Sequence, residues 1–201
     1  MVRQILKPGR QYTFSDYYHL NYPTDEITQL FGYSFRTQLI DLPTALNADR
    51  ATIQDLQQTF YKILPQITLT SETAKREFLI APILLQVAKL TDARIYSEYP
   101  LEIDDRLSGS LDYLLRSQQQ LLIIEAKKGD LDKGFNQLAV ELIALDQELG
   151  EASTIPDRPH PDRLYGAITL GEIWRFAILD STHKQIIRDL HSYRVPEDLE
   201  A

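Results

Sequence analysis

The stretch Leu121-Leu-Ile-Ile-Glu-Ala-Lys127 constrains the fold more than any other part of the chain. Four consecutive apolar residues leave no side for water, so the segment reads as a strand covered on both faces at the centre of a sheet. That strand ends in charge. Residues two apart on a strand point the same way, so Glu125 and Lys127 share one face, and Ile124 and Ala126 lie on the other, against the core. A second apolar strand, Leu107–Leu115, precedes it across the short link Arg116–Gln120. A two-residue turn at Gln118-Gln119 pairs Ser117 with Gln120 and brings Asp112 opposite Glu125. Asp112, Glu125 and Lys127 are thereby expected at one spot beside apolar neighbours.

The surrounding segments set the architecture. Ser71 opens a helix running to about Leu90 that Pro82 should kink. Arg94–Ile103 alternates as a strand and ends at a turn-like Asp104-Asp105. Leu131–Leu149 has the apolar spacing of a helix, which Gly150 is expected to end. After a proline-rich loop over Glu151–Pro161, Leu164–Leu170 and Ile173–Leu179 form strands around Gly171-Glu172, and Lys184–Leu190 is a short last element. The order is helix, three strands, helix, strands: a mixed α/β plan rather than a regular βαβ array. Residues 1–70 read as an extension to a core domain at 71–201. They hold an aromatic cluster (Tyr12, Phe14, Tyr17, Tyr18, Tyr22), a short helix capped by Thr24 and ended by Gly32, and a helix at Thr52–Ile63 closed by Pro65. The aromatic cluster suits packing on the core or on a second subunit better than stacking on unpaired bases.

Composition excludes several chemistries. The 201 residues contain no cysteine, which removes disulfide scaffolds, cysteine zinc sites and thiol nucleophiles. The four histidines lack metal-ligand spacing. The net charge is −8, so a generic basic coat for nucleic acid is excluded, while a local rim of Lys75, Arg76, Lys127, Lys128 and Lys133 is not. No apolar run approaches the ~20 residues of a membrane span, and no apolar targeting segment follows Met1. The expected location is the cytoplasm. Glycine-rich phosphate loops and the serine-hydrolase elbow are absent.

Two carboxylates at one spot resist ionising together, and a divalent cation relieves that conflict. Mg²⁺ or Mn²⁺ takes oxygen ligands, here Asp112, Glu125 and the carbonyl of Ala126. Lys127 beside them could orient the attacking water, help deprotonate it, or steady a phosphate. Asp112, followed after a hairpin by Glu125-Ala-Lys127, resembles the Asp…(Asp/Glu)-X-Lys signature of the restriction-endonuclease-like, PD-(D/E)XK, nuclease superfamily. The element order is similar as well. Leu164-Tyr-Gly-Ala-Ile-Thr-Leu-Gly-Glu-Ile-Trp-Arg-Phe176 resembles a hairpin of relatives such as the nuclease domains of type I restriction subunits. The first 70 residues resemble the amino-terminal part of a cyanobacterial group of proteins.

The resemblance implies a restriction-endonuclease-like core and metal-dependent endonucleolytic hydrolysis of DNA. By position, Asp112 and Glu125 would hold the metal and Lys127 would be the catalytic lysine. Glu72, or Glu77 five residues on, would be the acid of the first helix, and Gln137 the glutamine of the helix after the lysine strand. Relatives frequently carry a tyrosine four residues after that glutamine, where this chain has Glu141. Glu72 also has a plain role as a first-turn acid behind a Ser71 cap, and Glu72 and Arg76 are spaced to satisfy one another. The alternative is an inactive nuclease-fold module that binds nucleic acid or a protein partner. A homodimer through residues 1–70 is compatible with either.

Overall fold

From residue 71 the expected element order is found. Our computed structural model describes residues 5–42, 50–117, 120–127, 129–152 and 160–199. Ser71 Oγ accepts the Ala74 N–H at 3.0 Å and caps α4 (Glu72–Lys75). Helix α4 runs directly into a π-helical turn, Arg76–Ile80, and then into α5 (Ala81–Thr91). Pro82 has no N–H to offer the preceding turn. The ladder widens there, with the Ala81 N–H reaching back to the Arg76 carbonyl. The irregularity expected at Pro82 therefore sits one turn earlier. Strands β2 (Arg94–Asp104), β3 (Leu107–Arg116) and β4 (Leu121–Ala126) follow, then the 22-residue helix α6 (Leu131–Ala152). Gly150 does not end α6, which continues through it.

Strands β5 (Arg163–Thr169), β6 (Ile173–Asp180), β7 (Gln185–Asp189) and β8 (Tyr193–Arg194) complete the carboxyl half. One mixed sheet holds eight strands among the described residues, in the order β1-β7-β6-β5-β4-β3-β2, with β8 beside β6. The pair β4–β5 is parallel, and β2–β3, β3–β4, β5–β6 and β6–β7 are antiparallel. The protein is thus mixed α/β. No helix of the described residues is long and apolar enough to cross a membrane.

The first 70 residues are more structured than their sequence suggests. They supply the short helices α1 (Phe14–Tyr18) and α2 (Thr24–Gln29), helix α3 (Arg50–Ile63) and a strand, β1 (Ser34–Gln38), that pairs parallel with β7. Neither α1 nor β1 is expected from the sequence. Pro23, not Thr24, occupies the cap position of α2; the Thr24 hydroxyl instead donates to Asn136 Oδ1 at 2.7 Å.

Two apolar layers enclose the sheet. On one face α6 packs with α1 and α2, joining Tyr12, Phe14, Tyr17 and Ile27 to Ile123, Leu138 and Leu142. On the other face the α4–α5 rod and α3 bury Phe60, Leu79, Ile80 and Leu84 against Tyr113, Ile124 and Ala126. Strand β4 is covered on both sides, as its apolar run requires. Tyr12, Phe14 and Tyr17 are buried within their own chain. Trp174 is core, with its indole N–H on the Gly171 carbonyl at 3.1 Å.

The first turn of α6 crosses the sheet very closely. A Cβ on Gly134 would fall on Ile168 Cδ1 and 3.1 Å from Lys127 Cγ. Ile168 is fully buried and has little room to move. Gly134→Ala gains about 1 kcal/mol of helix propensity but overpacks this contact by about 1–3 kcal/mol. We therefore expect the variant to be less stable than the parent in urea denaturation. Adding Ile168→Val, which deletes the clashing methyl, should restore most of the loss. A single variant as stable as the parent would show that α6 does not pack at this distance.

Candidate active site

The hairpin register is the expected one. Tyr113 pairs with Ile124, Leu114 with Ile123 and Arg116 with Leu121, and the Ser117 N–H bonds to the Gln120 carbonyl at 3.0 Å. The turn residues Gln118 and Gln119 lie outside the described residues, as does Lys128 of the basic rim. Continued by one residue, the register sets Asp112 opposite Glu125. The backbone ladder stops before this pair, and the Asp112 carboxylate takes over: its Oδ2 accepts the Ala126 N–H at 2.8 Å. Asp112 thus fastens the end of β4 as the two strands part.

The face carrying Glu125 is covered by α6. Glu125 is only 1% exposed. Its Oε1 accepts from Gln137 Nε2 at 2.8 Å and is ion-paired to Lys127 Nζ. The same Gln137 amide nitrogen donates to Glu141 Oε1 at 2.8 Å, so one amide bridges the two carboxyls. Gln137 and Glu141 are one helical turn apart, which turns both toward Glu125. Gln137, expected from the resemblance, is therefore in contact with Glu125. Glu141, the departure from the familial pattern, is a fully buried member of the same group. Three oxygens here, Glu125 Oε2, Glu141 Oε2 and Gln137 Oε1, have no hydrogen-bond partner among the described residues.

Burial sets the protonation. It pushes the Glu125 carboxyl up to about 7, with the Asp112 charge adding to the effect and Lys127 opposing it. Glu141 is pushed well above its ordinary value by burial and by the Glu125 charge. For Lys127, burial pulls downward, but the Glu125 carboxylate more than offsets it and the ammonium is held above its usual range. Lys127 Nζ also lies 5.6 Å from the centre of the Tyr18 ring, a favourable cation–π placement. Tyr18 comes from the amino-terminal extension, and its hydroxyl accepts the Asp130 N–H at 3.3 Å. The aromatic cluster was visible in the sequence, but nothing there pointed to contact with Lys127.

Arg76 closes the other side. It donates to Asp112 Oδ1 at 3.4 Å, to Glu98 Oε1 at 2.7 Å and to the Tyr113 hydroxyl at 3.3 Å. The expected Glu72–Arg76 pair is replaced by these contacts, because the π-turn swings Arg76 over the sheet. Glu98 lies between the pairs Ser97–Tyr113 and Tyr99–Leu111, level with Asp112 on the neighbouring strand. Its φ of +52° is a left-handed backbone inside a strand. Such a conformation costs on the order of 1–3 kcal/mol and marks a constrained position. Glu72 occupies the first turn behind the Ser71 cap, and Glu77 is exposed in the π-turn. No hydrogen bond or ion pair among the described residues joins either to Asp112 or Glu125.

Asp112, Glu125 and the Ala126 carbonyl form a set of oxygen donors only. No group of three or more histidine, aspartate or glutamate side chains is arranged to hold a metal among the described residues. Mg²⁺ commonly takes one or two carboxylates and fills the rest of its shell with water and substrate oxygens. The free Oε2 of Glu125 and the all-oxygen donor set are compatible with such an ion.

The buried acid pair makes stability depend on pH. Glu125 and Glu141 bind protons more tightly in the fold than in the unfolded chain, where the ordinary value is 4.5. Their contribution is therefore fully present below about pH 4.5 and is lost as pH rises through about 7. Glu141→Gln keeps the shape and removes one of the two protons at issue. Unfolding measured between pH 5 and 8 should show the parent losing stability with rising pH relative to this variant. Parallel curves would mean that the pair does not share a proton.

No protein-family model matches this chain, and no curated protein matches it.

Proposed function

We propose that the protein is a metal-dependent endonuclease hydrolysing phosphodiester bonds of DNA, built on a restriction-endonuclease-like core formed by α4–α5, β2–β4, α6 and β5. The observation that carries this reading is Glu125. A carboxylate buried at the end of a central strand, with one oxygen on a lysine and the other unpartnered, is a poor device for stability. It is a suitable device for holding a cation and a phosphate together.

In this reading Asp112 and Glu125, with the Ala126 carbonyl, hold Mg²⁺ or Mn²⁺. Bound there, the ion supplies charge neutralisation at the phosphoryl oxygens. Gln137 fixes the Glu125 side chain through one oxygen, and Glu141 holds the Gln137 amide in turn. Lys127 keeps its proton beside Glu125, so it acts as a donor and a positive charge: it orients the attacking water and stabilises charge developing on the phosphate. Of the three roles the sequence leaves open for Lys127, deprotonating the water fits these electrostatics least. The chain's net charge of −8 makes DNA binding weak and salt-dependent outside a locally basic cleft.

One observation favours a second reading. Asp112 is already engaged by Arg76 and the Ala126 N–H. In an inactive binding module these contacts would be its entire role. A cleavage assay on plasmid and single-stranded DNA with Mg²⁺ or Mn²⁺, an EDTA control and Lys127→Met separates the two. We expect metal-dependent nicking that falls at least ~100-fold in the variant. Calorimetric titration of Mn²⁺ should show binding to the parent and its loss in Glu125→Gln. Cleavage unchanged in Lys127→Met refutes the site; metal binding absent and no cleavage on either substrate favours the binding module.

A further inference from the structure

A second polar cluster lies on the same face of the sheet, across the first turn of α6. Arg175 of β6 and Arg188 of β7 converge on a single oxygen, Asp132 Oδ1, at 3.1 and 2.9 Å. Two guanidinium groups thus share one carboxylate, and that carboxylate is 72% exposed while the arginines are about 22–23% exposed. The arginines are held in place by more than this acid. Arg188 lies over Phe35 and Phe135, with 5.6 and 5.3 Å to the ring centres. Arg175 Nε donates to Ser192 Oγ at 3.2 Å. Arg188 Nε is buried without a partner among the described residues. Burial and the Arg175 charge pull the Arg188 guanidinium below its ordinary range, opposed by Asp132. The cluster carries an excess of one positive charge in a protein whose balance is strongly acidic.

The register fixes where this cluster sits. Glu125 pairs with Ile168, and Ile168 pairs with Arg175. Partners across strands point to the same face. Arg175 is therefore two strands from Glu125 in one row, about 10 Å at ~4.8 Å per strand. Planar, pre-positioned guanidinium groups match the oxygens of a phosphate, and an exposed carboxylate bridging two of them occupies the place such an oxyanion would take.

We propose that Arg175 and Arg188 form a phosphate-binding site for the backbone of a polynucleotide strand, with Asp132 as its internal stand-in in the free protein. The strand is the one whose scissile linkage would lie at Glu125 and Lys127, so this inference rests on the nuclease reading. A separation of about 10 Å is roughly three steps of duplex rise at 3.4 Å per nucleotide, near enough for one strand to touch both. Displacing Asp132 frees both arginines, so binding and release of the carboxylate are linked.

The test uses a fluorescein-labelled 12-nucleotide DNA, single-stranded and duplex, and inorganic pyrophosphate as a probe independent of nucleic acid. Asp132→Asn should tighten oligonucleotide binding several-fold, because it removes the competing anion. Arg175→Gln should weaken it about tenfold at low salt and lower the slope of log affinity against log salt by about 1. Arg188→Lys, which keeps the stem over the two rings, covers the case in which larger changes at Arg188 fail to fold. Oligonucleotide binding that responds in this way establishes the phosphate site whether or not cleavage is seen; absence of cleavage bears on the Glu125 site alone. Pyrophosphate binding sensitive to Arg175→Gln, without oligonucleotide binding, would leave an anion site and overturn its assignment to a polynucleotide. Cleavage with an unchanged KM and salt slope in Arg175→Gln and Asp132→Asn would sink the phosphate site and leave the nuclease reading standing. No binding of either probe by the parent chain overturns the proposal outright.

Discussion

Covering both faces of β4 is the constraint on which the rest of the structure depends. Its apolar run needs a helix layer on each side, and α6 and the α4–α5 rod supply them. Because α6 lies over the face that carries Glu125, the acid at the strand's end cannot reach water freely. Everything around it follows from that burial. Gln137 must aim its amide inward, Glu141 must keep a proton, and Lys127 must stay close. A buried, half-satisfied polar network of this kind is unfavourable for folding taken alone, since unpaired oxygens in a low dielectric are costly. The apolar contacts of the two layers compensate for it.

How much of this could be read in the sequence depends on how local each contact is. The β3–β4 hairpin joins residues close in the chain, so parity and turn length sufficed to set Asp112 against Glu125. Gln137 and Glu141 share a helix face by spacing alone, but which face α6 turns to the sheet is a tertiary matter. Strand β1 was not legible. It is five residues long, mostly exposed, and its partner β7 lies some 150 positions away. Arg175 and Arg188 were equally hidden, because they sit on different strands and meet over a residue of a third element. Gly150 does not stop α6, which carries on through it, so a glycine alone does not end a helix that tertiary packing holds. The Thr24 hydroxyl was spent on Asn136 rather than on a cap, a contact across 112 residues that no local pattern encodes.

The two arginine systems illustrate different uses of the same side chain. Arg76 is bound on three sides by Glu98, Asp112 and Tyr113, and so acts as a brace between the rod and the sheet. Arg175 and Arg188 are braced by rings and a hydroxyl instead, which leaves their charge facing a single exposed acid. The first arrangement steadies a site; the second leaves capacity for an external anion.

The pairing of β1 with β7 also has a bearing on how the chain is made. Synthesis delivers residues 34–38 well before their partner strand, residues 185–189, which follows some 150 positions later. Until then α1 and α2 can dock only as far as α6 allows, and the edge of β7 does not exist for β1 to join. The Tyr33 hydroxyl and Lys184 ammonium both reach the buried Asp146, at 2.6 Å each, so the same late event completes that polar knot. Non-local closure of this sort slows folding because the loop must be ordered before any contact rewards it. A nascent chain in which residues 182 onward have yet to emerge would hold strands β2–β6 and an unclaimed β1, a state in which the order of translation, rather than the final energy, decides what pairs with what.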